Sequence, residues 1–224
     1  HLAANSDLVL RKWQLDGRDP RERLFIFGWA PANNQLFDML MRHLPLYKSR
    51  VLTALVFYWR PILNKTRFWY PLNMTDRDYR EFSLGKATLS FTEQEHTRGK
   101  KLLRSWGIDD DDWYVCLHAR DSAYLNTHRP EYYSLWRKRD FRNSSIDNYI
   151  DAANYITSLG GYVIRMGAVV ERPLQVGNPK IIDYATRYRS DFMDIYITAT
   201  CRFFLGTSSG LFNVAAIFDR PVAQ

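Results

Sequence analysis

The sequence predicts an α/β protein whose C-terminal half is a doubly wound parallel sheet. Two observations predict it. From Trp113 onward, short apolar runs alternate with helix-like stretches, the rhythm of parallel strands joined by crossover helices. Near the C-terminus, Cys201-Arg202-Phe203-Phe204-Leu205 breaks into Gly206-Thr207-Ser208-Ser209-Gly210 before Leu211-Phe212 starts another helix-like run. Such a strand–turn–helix junction aims free N–H groups and a partial positive charge at whatever docks there.

In chain order, residues 1–23 are mixed and charged and read as an edge segment. Residues 24–28 read as a buried strand and 29–34 as a turn with Pro31 and paired Asn. Residues 35–43 form a helix with Leu36, Leu40 and Leu44 at fourfold spacing. Residues 51–58 read as a second apolar strand closed by Pro61, and 67–79 as aromatic and irregular. Ser90 with Glu93, or Thr92 with Glu95, makes a capping box. The helix it starts has Leu102, Leu103 and Trp106 as its apolar face and stops at Gly107. The run Asp109–Asp112 could suggest an acid cluster or a metal site. Four adjacent carboxylates repel and cannot share one face, so it reads as a solvated linker.

The expected domains are therefore 1–110, an N-terminal part with its connecting helix, and 111–224. In the latter, strands are expected at 113–118, 162–166, 180–183 and 202–205, with another starting at Pro221. Helices are expected at 146–159 (capped from Ser144 or Ser145, ended by Gly160-Gly161), 191–200 and 209–218. The chain begins at His1 without Met and stops in a strand-like run, and is expected to be truncated at both ends.

With 224 residues, 46% of them hydrophobic and 15% aromatic, the chain can bury a large core, and disorder is excluded as its general state. The net charge of +7 is spread over both halves and marks no basic arm, so no nucleic-acid partner is expected. A small polyanion or an anionic membrane surface fits it equally well. Cys116 and Cys201 sit in apolar runs and read as reduced packing residues, which suits a cytoplasmic protein, with peripheral contact at the inner membrane face left open. No His/Cys cluster has zinc spacing, so no metal is expected. The longest apolar run, 51–59, falls far below the roughly 18 residues of a membrane span.

Ligands of doubly wound sheets lie outside the carboxyl ends of the strands. Those ends carry His118-Ala119-Arg120-Asp121-Ser122, Arg165-Met166-Gly167, Asp183-Tyr184 and Gly206–Gly210. Arginine forks suit phosphate, and the hydroxyl turn Thr207-Ser208-Ser209-Gly210 adds backbone donors. Asp183 is a candidate for a base edge or ribose. Each has a structural alternative. Arg165 could only bridge to Asp183, His118 could be a hydrogen-bonded core residue, Asp121 could orient Arg120, and the serine turn could merely cap a helix.

The segments Val115–Leu125, Phe141-Arg142-Asn143, Ile164–Gly167, Ile181–Ala185 and Cys201–Gly210, in that order, resemble a family of bacterial glycosyltransferases assigned from sequence and associated with surface-polysaccharide synthesis. The likeness is strongest over 85–224 and fainter over 24–60. More distantly, His118-Ala119-Arg120 and Gly206–Ser209 look like the corresponding turns of fucosyltransferases with two Rossmann-like domains in the GT-B arrangement.

The resemblance implies that Arg120, Ser208 and Ser209 bind the diphosphate of a nucleotide-sugar donor, with Arg142 and Arg165 as helpers. It also implies inversion. Asp121 stands where fucosyltransferases carry a second arginine, so the likeness does not extend to GDP-fucose itself. The expected chemistry is metal-independent sugar transfer to a hydroxyl of a glycan or lipid-linked acceptor. Arg120 stabilises the leaving diphosphate, and Asp121 or His118 acts as base. No cofactor beyond the nucleotide-sugar substrate is implied. Trp29, Asn33 and Asn34, after the first strand, are candidate acceptor contacts, with a plain turn as their alternative. Two other activities stay open: a non-catalytic nucleotide-sugar or glycan-binding module, and a nucleoside-phosphate hydrolase.

Overall fold

The computed structural model describes residues 2–19, 25–27, 31–67, 69, 79–128, 130–132 and 140–224. The chain forms two compact units, His1–Ser90 and Phe91–Gln224. The division falls some twenty residues before the expected one. The helix Glu93–Ser105 belongs to the second unit, where Leu102, Leu103 and Trp106 pack into the core.

In the first unit, α1 (Leu2–Asp16) occupies the stretch expected to be an edge segment. Its charges mislead in sequence: Asp7 and Arg11, one helical turn apart, pair at 2.7 Å and are both fully buried. Arg11 also donates to the Gly85 carbonyl, and Thr88 donates to Asp7, so the buried charges are satisfied. Strands β1 (Phe25–Phe27) and β2 (Leu46–Lys48) pair in parallel across α2 (Asn34–Met41), whose Leu36, Phe37, Met39 and Leu40 are buried.

The expected strand at 51–58 is instead part of α3 (Arg50–Leu63). Ser49, with extended backbone, caps its start by accepting from the Leu52 N–H at 3.2 Å. Val51, Leu55, Tyr58 and Ile62 recur at helical spacing, which a continuous apolar run conceals. Pro61 falls in the last turn rather than ending a strand. A short α4 (Tyr79–Leu84) follows.

The second unit opens with α5 (Glu93–Ser105), started by the Thr92/Glu95 capping box and ended at Gly107, whose φ of +85° suits glycine. Asp110 then pairs back to Arg104 and Lys100, while the Asp112 carboxylate accepts from the Asp109 N–H, so the acidic run is a turn tied to α5.

Five parallel strands follow: β3 (Tyr114–His118), β4 (Tyr162–Arg165), β5 (Ile181–Ile182), β6 (Phe204–Gly206) and β7 (Val222–Ala223), in the order β5-β4-β3-β6-β7. Between them run α6 (Ala123–His128), α7 (Ile150–Ser158, preceded by a 3-10 turn capped by Ser145), α8 (Tyr184–Arg187), α9 (Asp191–Thr200) and α10 (Gly210–Ile217).

Alternate strand residues face opposite sides. Tyr114, Cys116, Ile164, Ile182 and Phe204 join one core with α5, α9 and α10. Val115, Leu117, Val163 and Ile181 join the other with α7 and Leu174. The unit is thus an α/β fold with a core on each face of its five-stranded parallel sheet, compatible with a Rossmann-like fold. Cys116 and Cys201 are buried free thiols, and burial pushes the Cys116 thiol pKa up. No helix among the described residues is long and apolar enough to cross a membrane.

Candidate functional site

The strand order creates one topological switch point. The chain leaves β3 to lay β4 and β5 on one side, then returns to lay β6 and β7 on the other. The connections part above β3 and β6, which opens a crevice at their carboxyl ends. His118 and Gly206, the last residues of these strands, are in register.

The turn after β6 is pinned to the end of β3. Thr207 N–H donates to the His118 carbonyl at 3.0 Å, and the Thr207 hydroxyl accepts from Arg120 N–H at 2.7 Å. Ser209 caps α10 with extended backbone, but its side chain makes no capping bond, and its buried Oγ has no hydrogen-bond partner. Thr92, Ser145 and Ser190, by contrast, each accept from an N–H of the helix they start. The first-turn N–H groups of α10 have no intrahelical carbonyl to serve. The space an added Gly210 Cβ would enter is open.

Two arginines hold this turn, Arg142 through its guanidinium and Arg120 through its backbone N–H. Arg142, ending the 3-10 turn Asp140–Arg142, donates through Nη2 to the Ser208 carbonyl at 3.1 Å and to its Oγ at 2.8 Å. Arg120 donates through Nη1 to Asn143 Oδ1 at 2.5 Å. Ser144 N–H donates to the Arg120 carbonyl, and Asn143 Nδ2 donates to Ser122 and Asp140, which anchors the 140–145 loop to the end of β3. Arg120, Thr207, Ser208 and Ser209, which stand at the strand ends, are therefore assembled together, and Arg142, suggested only by the resemblance, joins them from the 3-10 turn. Asn143 and Ser122, which hold the assembly, were given no role from sequence, although Ser122 stands in the strand-end segment after β3 and Asn143 beside Arg142.

Arg165 stands apart from this group. It is buried at the end of β4 and pairs with Asp183 at 2.9 Å, the bridge that was its alternative reading. The other Asp183 oxygen accepts from Leu174 N–H at 2.9 Å and from the Thr186 hydroxyl at 2.6 Å. Both carboxylate oxygens thus hold protein groups, locking the loop between β4 and β5 onto the sheet edge. Arg165 Nε has no partner, and the residue borders a cleft of about 450 Å³ together with Ala119, Asp121, Asn143, Ser145 and Arg172. Arg172 closes the rim by pairing with Asp147 and bonding Ser145.

The two candidate bases differ in what surrounds them. Asp121 accepts from Ala123 N–H and Glu171 N–H at 3.0 Å each, one to each oxygen, so its carboxylate shapes the turn and holds the 167–172 loop. His118 lies 3.2 Å from the Met166 carbonyl through Nδ1. A carbonyl can only accept, so Nδ1 carries the proton and Nε2 keeps its lone pair. Burial lowers the His118 pKa below its ordinary value, against the Met166 bond and Asp121, which act to raise it. The imidazole is neutral at neutral pH.

In the first unit, Asn33 Oδ1 accepts from Leu36 N–H at 2.9 Å as the cap of α2, and Asn34 is the first residue of that helix. Trp29 lies outside the described residues. Among the described residues, no group of three or more His, Cys, Asp or Glu is placed to hold a metal ion. No protein-family model, curated protein or solved structure matches the chain.

Proposed function

We propose that the protein is a glycosyltransferase that moves a sugar from a nucleotide-diphosphate donor to a hydroxyl acceptor, in a GT-B-like arrangement with the first unit on the acceptor side. The observation that carries this reading is the switch-point crevice. There two arginines meet a hydroxyl turn and a helix start that lacks a side-chain cap. Such a set suits a diphosphate: bidentate cations, hydroxyls and backbone donors, all fixed before the ligand arrives.

In sugar transfer, the bond from the anomeric carbon to the diphosphate oxygen breaks and negative charge grows on the leaving group. Donors already aimed at that charge lower the barrier without reorganising. Arg120 and Arg142 supply the cations, with Thr207, Ser208, Ser209 and the first turn of α10 around them. The acceptor hydroxyl loses its proton as its oxygen bonds to the anomeric carbon. His118 is the better base, since its imidazole is neutral with Nε2 unprotonated, whereas both Asp121 oxygens are engaged by backbone N–H groups. Turnover is proposed to need no metal, and surface-polysaccharide synthesis is the setting suggested by the sequence resemblance.

Calorimetry with UDP, GDP and ADP, followed by incubation with the matching sugar donors, tests the proposal. Binding of a nucleotide diphosphate and release of nucleotide from its sugar are expected, with both reduced at least about tenfold in Arg120→Ala. A near-wild-type rate in that variant overturns the assignment. Binding without any nucleotide release identifies a non-catalytic binding module instead. Loss of turnover in EDTA, restored by Mg²⁺ or Mn²⁺, refutes metal independence.

A further inference from the structure

The +7 net charge, even when the chain is cut in two, is concentrated at a finer scale. Residues 39–75 carry six Lys and Arg (Arg42, Lys48, Arg50, Arg60, Lys65 and Arg67) and not one Asp or Glu. At the centre of this stretch lies α3, which has no buried residue. At 100° per residue, Val51, Leu55, Tyr58 and Ile62 fall on one stripe flanked by Leu52 and Trp59. Apolar residues at this spacing normally face a core. Here the stripe faces solvent: Val51 is 70%, Leu55 50%, Tyr58 77% and Ile62 57% exposed. Thr53, Val56 and Leu63, on the opposite side, are the partly covered ones.

A continuous apolar face that a monomer leaves in water marks an interaction surface. Its chemistry selects the partner. The 14-residue helix is about 21 Å long, too short to cross a bilayer but suited to lying in its surface. Aliphatic side chains can enter the acyl boundary, Tyr58 and Trp59 suit the headgroup level, and cations with no acid among them suit anionic lipid. We propose that α3 with its flanking Lys48 and Lys65 is an in-plane docking element for an anionic membrane surface. This rests on the first unit alone and is independent of the nucleotide site.

The test is co-sedimentation of the full chain with phosphatidylcholine vesicles and with vesicles that also contain phosphatidylglycerol. Binding to the anionic vesicles only is expected, weakened about fivefold for each of Lys48→Glu and Lys65→Glu. Leu55→Glu with Tyr58→Glu should abolish it, and because both residues are exposed, an unchanged circular dichroism spectrum is expected. Quenching of tryptophan by brominated lipid should fall in Trp59→Phe, which reports insertion rather than adsorption. Absence of binding at low salt, equal binding to neutral vesicles, or binding that survives Leu55→Glu with Tyr58→Glu overturns the proposal. So does a dimer in the absence of lipid that these two substitutions convert to monomer, since the face would then belong to a second copy.

Discussion

A Cβ built on Gly206 would stand 1.9 Å from the carbonyl oxygen of His118. The two residues end adjacent strands, and the φ of +146° at Gly206 is one that side chains rarely adopt. The close approach is what lets Thr207 N–H reach the same carbonyl and fixes the hydroxyl turn at the crevice. The nearest atoms the Cβ would meet are all His118 backbone, so no side chain can swing away to relieve them.

Gly206→Ala is therefore expected to cost on the order of 3 kcal/mol or more, read as a lower midpoint in urea unfolding. Gly210→Ala, where the added methyl meets open space, should lie within about 1 kcal/mol of wild type. Equal stability of the two variants would show that β3 and β6 do not approach as closely as described.

The buried Arg165–Asp183 pair gives an asymmetric prediction. Removing Asp183 strands a buried guanidinium and also releases Leu174 N–H and the Thr186 hydroxyl. Removing Arg165 leaves Asp183 with both of those donors. Asp183→Ala should lose roughly 3–5 kcal/mol, and Arg165→Met distinctly less. Denaturant titration of both variants decides the matter; a larger loss for Arg165→Met would reverse the assignment of Asp183 as the anchor.

His118 makes a prediction about pH. Burial lowers its pKa, so the neutral base persists below pH 6.5, and the acid limb of kcat/KM for sugar transfer should fall below that value. The linkage has a matching sign. The unfolded chain takes up this proton more readily than the folded one, so the contribution of His118 to stability is present above the ordinary pKa and is lost as the pH falls. His118→Asn should remove the acid limb together with most of the rate. A variant that keeps both would exclude His118 as the base.

How much of this was legible in the sequence depended on whether the signal was local. The Thr92 capping box, the Gly107 stop and the helix Asp191–Thr200 are written in neighbouring residues, and the structure has them. The strand–helix rhythm after Trp113 gave the parallel sheet for the same reason. Residues 51–58 were misread because a run apolar at every position hides its period, and only Ser49 at its start favours a helix. α1 was missed because the mutual burial of Asp7 and Arg11 depends on partners more than seventy residues away. At the site, the strand-end rule located Arg120 and the serine turn. It left Arg165 open between a phosphate helper and a bridge to Asp183, since choosing requires knowing which strand ends are neighbours.

Asp194 sets a second pH dependence, of opposite sign. It is buried on α9, where loss of water raises its pKa to about 6, against the Tyr184 hydrogen bond and the Arg189 charge, which act to lower it. Arg189 pairs with Asp194 Oδ2 at 3.0 Å, and the Tyr184 hydroxyl lies against Oδ1. Tyr184 has one hydroxyl hydrogen but two acceptors, the Ser190 carbonyl at 2.9 Å and Asp194 Oδ1 at 2.8 Å, while its oxygen accepts from Ser190 N–H. A protonated Asp194 can donate to the Tyr184 oxygen, freeing the phenol to donate to Ser190, and all of these groups are then satisfied. Burial pushes the Tyr184 pKa upward, so the phenol keeps its hydrogen throughout.

An acid whose folded pKa exceeds its unfolded value of 3.8 gives its full contribution to stability below pH 4 and loses it as the pH rises through about 6. The difference is on the order of 2–3 kcal/mol. Other carboxylates oppose it during acidification, so the effect is read as a difference between proteins. Urea unfolding of wild type and Asp194→Asn from pH 4 to pH 7 should show wild type losing stability relative to the variant as the pH rises, with the change centred between pH 4 and 6. Parallel curves would place the proton elsewhere.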